Sequence, residues 1–282
     1  FPYCVYNLYR CIREFSPDVV HLNSVTLCFY LPVLRILGVT TVLHLREGMV
    51  YGRYGLRKAL MEKVCKRFAD QIISICEDNA NSLAGLKWKD DPDWKIAIIY
   101  NPVDMNKFNH AILQDDSRSK LGIPAEVFVV SFIGGSEPTV KGLEDFILAL
   151  SQLKAVLPLV RGAIVGVKNW EPSSQVVEEA WHDIQTICVS VSFSHEVEVW
   201  LSASDLVCVL HKTNHFSRTL LEAWALARPT LSYDIGSLHE VVVQSKGGLE
   251  VESGKVAEVV QLIRLLSANP TLRTELAASG FD

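Results

Sequence analysis

The sequence holds no G-x-x-x-x-G-K-[ST] loop, no G-x-G-x-x-G after a strand pattern and no G-x-S-x-G turn. A P-loop nucleotide hydrolase, a dinucleotide-dependent oxidoreductase and an α/β-hydrolase each need one of these. Basic residues are not in excess: 27 Lys and Arg against 32 Asp and Glu give a net charge of −5. Binding a phosphate backbone wants a positive surface, so no nucleic-acid partner is expected. The seven cysteines, at 4, 11, 28, 65, 76, 188 and 208, are odd in number and include no C-x-x-C pair. They read as reduced, mostly buried thiols of a cytosolic protein rather than a disulfide framework. Long apolar runs are missing too. The longest, Val25–Leu45, is interrupted by Pro32, Arg35, Gly38 and His44, whereas a spanning helix needs roughly 20 apolar residues with few breaks. No membrane span or signal peptide is predicted; peripheral membrane contact stays open. No metal is expected either. His211 and His215 stand four apart, but no acidic or Cys partner completes a ligand set.

What is present is a composition with 49% hydrophobic and 21% charged residues over 282 positions. That suits a globular protein with a large core, and the length suggests about two domains. Short β-rich runs alternate with helical patterns. Strands are expected at Asp18–Leu22, Thr40–Leu45, Gln71–Ile75 and Lys95–Ile99, with helices at Thr26–Leu37, at Leu56–Phe68 and from Glu77. Residues 105–124 are polar and aperiodic and end in Pro124. The rhythm restarts at Val127–Ile133, a near-continuous apolar strand of the kind buried on both faces. It runs into Gly134–Gly135 and then a helix from Gly142. Further strands are expected at Ala163–Val167, Ile187–Phe193, Asp205–Leu210, Pro229–Tyr233 and Gly248–Val251. The fold class is therefore α/β, with two Rossmann-like doubly wound domains facing across a cleft. The expected division is a partial first domain at 1–106, a linker at 107–124 and a second domain at 125–282. Only four strands precede residue 104, and the chain opens FPYCVYNLYR without Met. The first domain thus reads as incomplete, with strands expected upstream of Phe1.

One residue stands out. From Leu220 to Ala227 every residue is apolar except Glu222. A carboxylate in such a helix is costly unless something requires it. Ser217 is a plausible N-cap, and the helix start aims free N–H groups of residues 217–220 outward as an anion site. A pyrophosphate on those groups and a ribose diol on the carboxylate together describe a nucleoside diphosphate. A salt bridge to a nearby Arg, or a cap on a backbone group, is the plainer alternative.

The stretch Asn214–Glu222, followed by Ala-Trp-Ala and Arg228–Pro229, resembles the E-x7-E block of retaining nucleotide-sugar glycosyltransferases of family 4, which have the GT-B fold. Other matches follow in order: Asp18-Val-Val-His21, Ala69-Asp70-Gln-Ile-Ile-Ser74, Asn101-Pro-Val-Asp104 with Phe108, Lys141-Gly142, Ser204-Asp205, and Gly236 with Glu240-Val241-Val242. Each is weak alone; order and spacing make the resemblance specific, over most of residues 15–270. It implies that Glu222 binds the donor ribose and that Lys141 reaches the diphosphate as a point charge. The donor side is expected to include Gly134, Gly135, Lys141, Phe216, Ser217, Arg218, Thr219, Glu222 and Gly236. His44, at the carboxyl end of its strand, is expected to face sugar and acceptor, with Asn23 and Ser24 on the same edge. The candidate catalytic set is His44, Asn214 and Lys141. No cofactor is implied; the donor is a nucleotide-diphospho sugar and the partner a glycan or lipid-linked acceptor. The implied setting is cytoplasmic surface-polysaccharide or glycolipid synthesis, with peripheral association at the inner face of a membrane left open.

Two positions depart from the family pattern. Asn214 stands where the first glutamate of E-x7-E is usual, and an amide cannot act as a carboxylate nucleophile. Gly135 stands where many relatives carry an Arg. Three readings follow: a retaining, metal-independent transferase, a nucleotide-sugar epimerase of the same plan, or a catalytically weakened nucleotide-sugar-binding subunit.

Overall fold

The computed structural model describes residues 2–48 and 55–282. It divides into two compact units, Phe1–Asn101 and Pro102–Asp282.

The first unit runs α1 (Pro2–Phe15), β1 (Val19–Leu22), a 3-10 turn (Val25–Tyr30), α2 (Leu31–Ile36), β2 (Thr40–Leu45), α3 (Leu56–Phe68), β3 (Gln71–Ser74), α4 (Glu77–Ala84) and β4 (Ile96–Ile98). The strands form a parallel sheet in the order β1-β2-β3-β4. The single helix expected at Thr26–Leu37 is two pieces. Pro32 lacks an N–H, so it fits only the first turn of α2, and the preceding residues tighten into 3-10 geometry. Ser24 caps that turn by accepting from Thr26 N at 3.2 Å. β2 alternates buried and half-buried residues and sinks Thr41, Leu43 and Leu45 into a core with Leu31, Leu34, Met61 and Ile72. Asp70 ties the start of β2 to α2. Its carboxylate accepts from Thr41 N (2.9 Å) and Thr41 Oγ1 (3.0 Å) and pairs with Arg35 at 2.8 Å.

The second unit runs α5 (Gln114–Leu121), β5 (Phe128–Ile133), α6 (Leu143–Val156), β6 (Val160–Val165), α7 (Gln175–Ile184), β7 (Cys188–Val191), α8 (Val197–Ala203), β8 (Leu206–Val209), α9 (Arg218–Ala225), β9 (Thr230–Tyr233), α10 (Gly236–Ser245), β10 (Gly248–Val251), α11 (Val256–Ala268) and α12 (Pro270–Phe281). Its parallel sheet has the order β10-β9-β8-β5-β6-β7. β5 and β8 are buried along their length, as strands covered by helices on both faces must be. The chain winds outward in both directions from the β5–β8 pair. That pair is the switch point, and the loops leaving its carboxyl ends flank a crevice.

The expected linker at 107–124 is not a free connection. α5 packs on α8. Arg118 is buried and donates to Ala203 O (3.0 Å), Ala125 O (2.9 Å) and Asp205 Oδ2 (2.6 Å). Asp205 Oδ2 also accepts from Val129 N at 2.7 Å. A charged side chain does the anchoring that apolar periodicity does elsewhere. The segment expected as a linker at 107–124 thus belongs to the compact second unit, which begins at Pro102.

Candidate functional site

The loop after β5 is built to hold a lysine close to backbone. Gly134 follows the strand, and Gly135 sits at φ +146°, where a Cβ would lie 2.7 Å from Lys141 Nζ. That vacant space lets Lys141 fold back and donate to Gly134 O at 2.7 Å. Gly142, at φ +84°, leads into α6, and a Cβ there would collide with the carbonyl of Leu210. The glycine thus lets the Lys141 loop lie directly on the end of β8. Lys212 N donates to Val140 O at 2.8 Å and closes the contact. Lys212 Nζ pairs with Asp145 at 2.8 Å, and Tyr233 Oη donates to the other Asp145 oxygen at 2.6 Å. The two loops that leave the switch point are fastened together by these bonds.

Between them opens a pocket of about 440 Å3 within the second unit. Gly134, Lys141, Phe216, Ser217, Arg218, Thr219 and Glu222 of the expected donor side line it. Ser217 is the N-cap residue of α9, but its side chain makes no capping bond. The first N–H groups of the helix are therefore not satisfied by that hydroxyl, and Ser217, Arg218 and Thr219 border the pocket. Glu222 lies about one turn in. Burial holds its carboxyl above the usual range, against the opposing charges of Arg218, Lys107 and Lys141. None of the three pairs with it at salt-bridge distance among the described residues. The Lys141 ammonium is pushed down by burial and by Arg218, while Glu137 and Glu222 hold it up. The pocket thus combines a desolvated cation, a helix N-terminus and a desolvated, unpaired carboxylate.

Gly135, Asn214 and Gly236 are not in the lining. Gly135 acts indirectly, through the space it leaves for Lys141. Asn214 Oδ1 accepts from Ser237 N (3.2 Å) and Ser237 Oγ (3.1 Å), at the start of α10. Gly236, at φ +44°, is the close neighbour that allows this: a Cβ there would stand 2.6 Å from Asn214 Oδ1. The two residues form one contact that sets where α10 begins.

In the first unit, His44 is on β2 and His21 on the neighbouring β1. His21 Nε2 and His44 Nδ1 are 3.3 Å apart, and the rings stack with centroids 5.3 Å apart. His44 Nε2 is buried without a partner among the described residues. Burial pushes the His44 pKa down, as do the charges of His21 and Arg46. Ser24 Oγ donates to Glu47, and Asn23 is exposed beside it. His21, His44, Asn23, Ser24 and Glu47 therefore meet at the carboxyl edge of the β1–β2 pair.

Several lining residues escaped the sequence reading: Lys107, Phe108 and Ile133 as pocket wall, Val197 on α8, and the histidines 211 and 215. Lys107 belonged to the supposed linker. It donates to His195 O at 3.0 Å and pairs with Glu198 at 3.3 Å. The two histidines stood on a polar loop directly after a strand, which was the available signal. Outside the lining, Asp234, His239 and Glu250 could offer three ligand atoms within 4.8 Å of one another.

A family model described as "Glycosyl transferases group 1" matches residues 114–281, and one described as "Glycosyltransferase Family 4" matches residues 1–107. A D-inositol 3-phosphate glycosyltransferase from Nocardioides is 25% identical over 233 residues, 76% of this chain and 49% of the relative. The protein of that name from Arthrobacter is 26% identical over 184 residues, 63% and 43% respectively. The chain spans about half the length of these curated relatives. Among solved structures, Anabaena HepE in complex with UDP superposes with a TM-score of 0.82 at 19% identity, covering 98% of this chain and 76% of that one. Sucrose-phosphate synthase from Thermosynechococcus elongatus gives 0.78 at 19% identity, covering 99% and 72%. These likenesses establish the two Rossmann-like sheets of a GT-B plan, and the family model over more than half of the sequence places the chain in glycosyl transferases group 1.

Proposed function

We propose that the second unit binds a nucleotide-diphospho sugar and that the protein transfers the sugar to an acceptor hydroxyl, with retention at the anomeric carbon. The observation that carries this reading is Glu222, a desolvated carboxylate with no hydrogen-bond or salt-bridge partner among the described residues, one turn from a helix start and lining the same pocket as Lys141. A ribose diol supplies the two donors that such a carboxylate needs. Lys141 and the α9 N–H groups supply positive charge for the diphosphate. Anabaena HepE has been solved with UDP and with UDP-glucose, which supports the same ligand class for this chain.

In this reading the C1–O bond to the diphosphate breaks and the acceptor oxygen bonds to C1 on the same face. The acceptor proton passes to the departing phosphate oxygen. Lys141 and the helix start stabilise the charge that grows on the leaving group, in place of a metal ion. Asn214, an amide engaged with α10, is not the nucleophile. The β1–β2 edge with His44 receives the acceptor, a glycan or lipid-linked glycan, in a cytoplasmic or membrane-peripheral setting. The relatives' name, D-inositol 3-phosphate glycosyltransferase, makes a phosphorylated polyol a second acceptor class to assay.

The test is a thermal-shift series with UDP, GDP and ADP. A ligand at 100 times its Kd adds about 2.7 kcal/mol to stability. One diphosphate should raise the melting temperature, and the shift should vanish in Glu222→Ala. If none of the three shifts the transition, the reading is wrong. The Asn214–Ser237 contact favours one second reading, a nucleotide-sugar-binding subunit without turnover. Donor binding without sugar release to any acceptor would select it.

A further inference from the structure

His211 is the first polar residue after β8, at the crest of the switch point, and it lines the pocket. It is 5% exposed. Its ring lies 5.6 Å from that of His215, and its Nδ1 is buried with no partner among the described residues. A buried polar atom without a partner costs about 1–3 kcal/mol, so an orphan in a pocket wall points to a ligand that satisfies it.

The ring state says what that ligand must bring. Burial, with help from His215 and Lys141, pushes the His211 pKa down to about 4, while the His215 main chain opposes this by hydrogen bonding to the ring. The imidazole is therefore neutral near pH 7. The His215 carbonyl can only accept, and Nδ1 makes no hydrogen bond among the described residues, so the ring proton is assigned to Nε2. Nδ1 is left as an acceptor. A phosphate ionised near pH 7 offers acceptors only and cannot meet this need. Lys141, at the same pocket, already supplies the cation a phosphate wants. A hydroxyl is the donor that fits, and Glu222 is the group placed for the ribose.

We propose that His211 Nδ1 accepts a hydrogen bond from a hydroxyl of the transferred sugar, making His211 a sugar-reading residue of the donor site. The inference rests on the nucleotide-sugar reading above and adds to it a residue and a chemical preference: at the position His211 reads, the sugar must carry a free hydroxyl.

The test compares titrations of UDP, GDP and ADP with those of UDP-glucose, UDP-N-acetylglucosamine, GDP-mannose and ADP-glucose. The protein is used unmodified and as His211→Phe and His211→Gln. Removing one neutral hydrogen bond changes affinity about tenfold. His211→Phe should lose that factor for the nucleotide sugar and keep its affinity for the matching free diphosphate. His211→Gln, which retains an acceptor, should recover part of the loss. Deoxyfluoro analogues of the bound sugar should show one position whose replacement weakens the unmodified protein and has no effect on His211→Phe. Nitrogen NMR of the imidazoles in the unmodified protein gives a readout independent of variant folding: the Nδ1 resonance should move with the nucleotide sugar and stay with the diphosphate. Equal losses for diphosphate and sugar conjugate, no loss for either, or an unmoved resonance overturns the role of His211 and leaves the nucleotide-sugar reading standing. Failure of every diphosphate to bind the unmodified protein overturns that reading, and this inference with it.

Discussion

Glu222→Gln should change binding and stability in opposite directions. The change is nearly isosteric, so the pocket keeps its shape. A carboxylate can accept from both hydroxyls of a ribose; the amide keeps one acceptor and loses the charge. Hydrogen bonds to a charged group contribute about 1.5–3 kcal/mol each. Losing one implies that diphosphate affinity falls about 10- to 150-fold. The unliganded protein should respond the other way. Burial raises the Glu222 carboxyl above its ordinary 4.5, so the folded state holds that proton more tightly than the unfolded chain. Wild-type stability then rises as pH falls through the window between the raised folded value and 4.5, and falls as pH climbs through it. Glutamine is indifferent to pH. The variant should therefore be more stable than wild type at pH 7, by a margin that shrinks on acidification through that window. Urea titrations at pH 7 and pH 4, with calorimetric titration of UDP, GDP and ADP, give both quantities. Unchanged diphosphate affinity would remove Glu222 from the ligand. A loss of stability at pH 7 would mean that the carboxylate is paired in the resting protein.

Gly142→Ala should cost about 2–5 kcal/mol, from the left-handed backbone and the collision with Leu210 O; the urea midpoint reports it. Gly135→Ala puts a methyl where Lys141 Nζ rests, so it should weaken diphosphate binding about as much as Lys141→Met, and calorimetry of both variants compares them directly. Asn214→Ala removes the acceptor for Ser237 N and Oγ and should cost about 1 kcal/mol, as a lost helix cap does; a smaller loss in Asn214→Asp would confirm the capping role. His44→Gln should lower turnover with a productive acceptor and leave diphosphate affinity unchanged, because His44 belongs to the first unit and the pocket residues to the second.

Much of the fold was visible in the sequence because strand and helix patterns alternate cleanly there. The run Gly248–Val251 is a strand with the expected bounds, and Val127–Ile133 reads as doubly buried and is. The exceptions share a cause. α5 escaped because its buried face is Ser117 and Arg118, which no apolar period reveals. The β1–β2 edge cluster depends on the parallel register that pairs Leu22 with Leu43, and spacing along one chain cannot supply it. Glu222 was conspicuous because it interrupts an apolar run. His211 was not, since a histidine in a polar loop looks ordinary until its nitrogen is seen buried. The two family departures acquire physical explanations: Gly135 makes room for Lys141, and Asn214 is bonded to the start of α10.

The bond from Arg118 to Asp205 decides where the chain can be cut. A fragment starting at residue 125 would discard the guanidinium and leave the Asp205 side chain, 14% exposed, without its ion-pair partner. Removing one member of a buried ion pair costs about 3–5 kcal/mol, a large share of a domain's total stability. A fragment starting at 102 keeps α5, the rivet and the Lys107–Phe108 wall of the pocket. Anyone isolating the second unit for crystallisation or ligand screening should place the start codon upstream of residue 102.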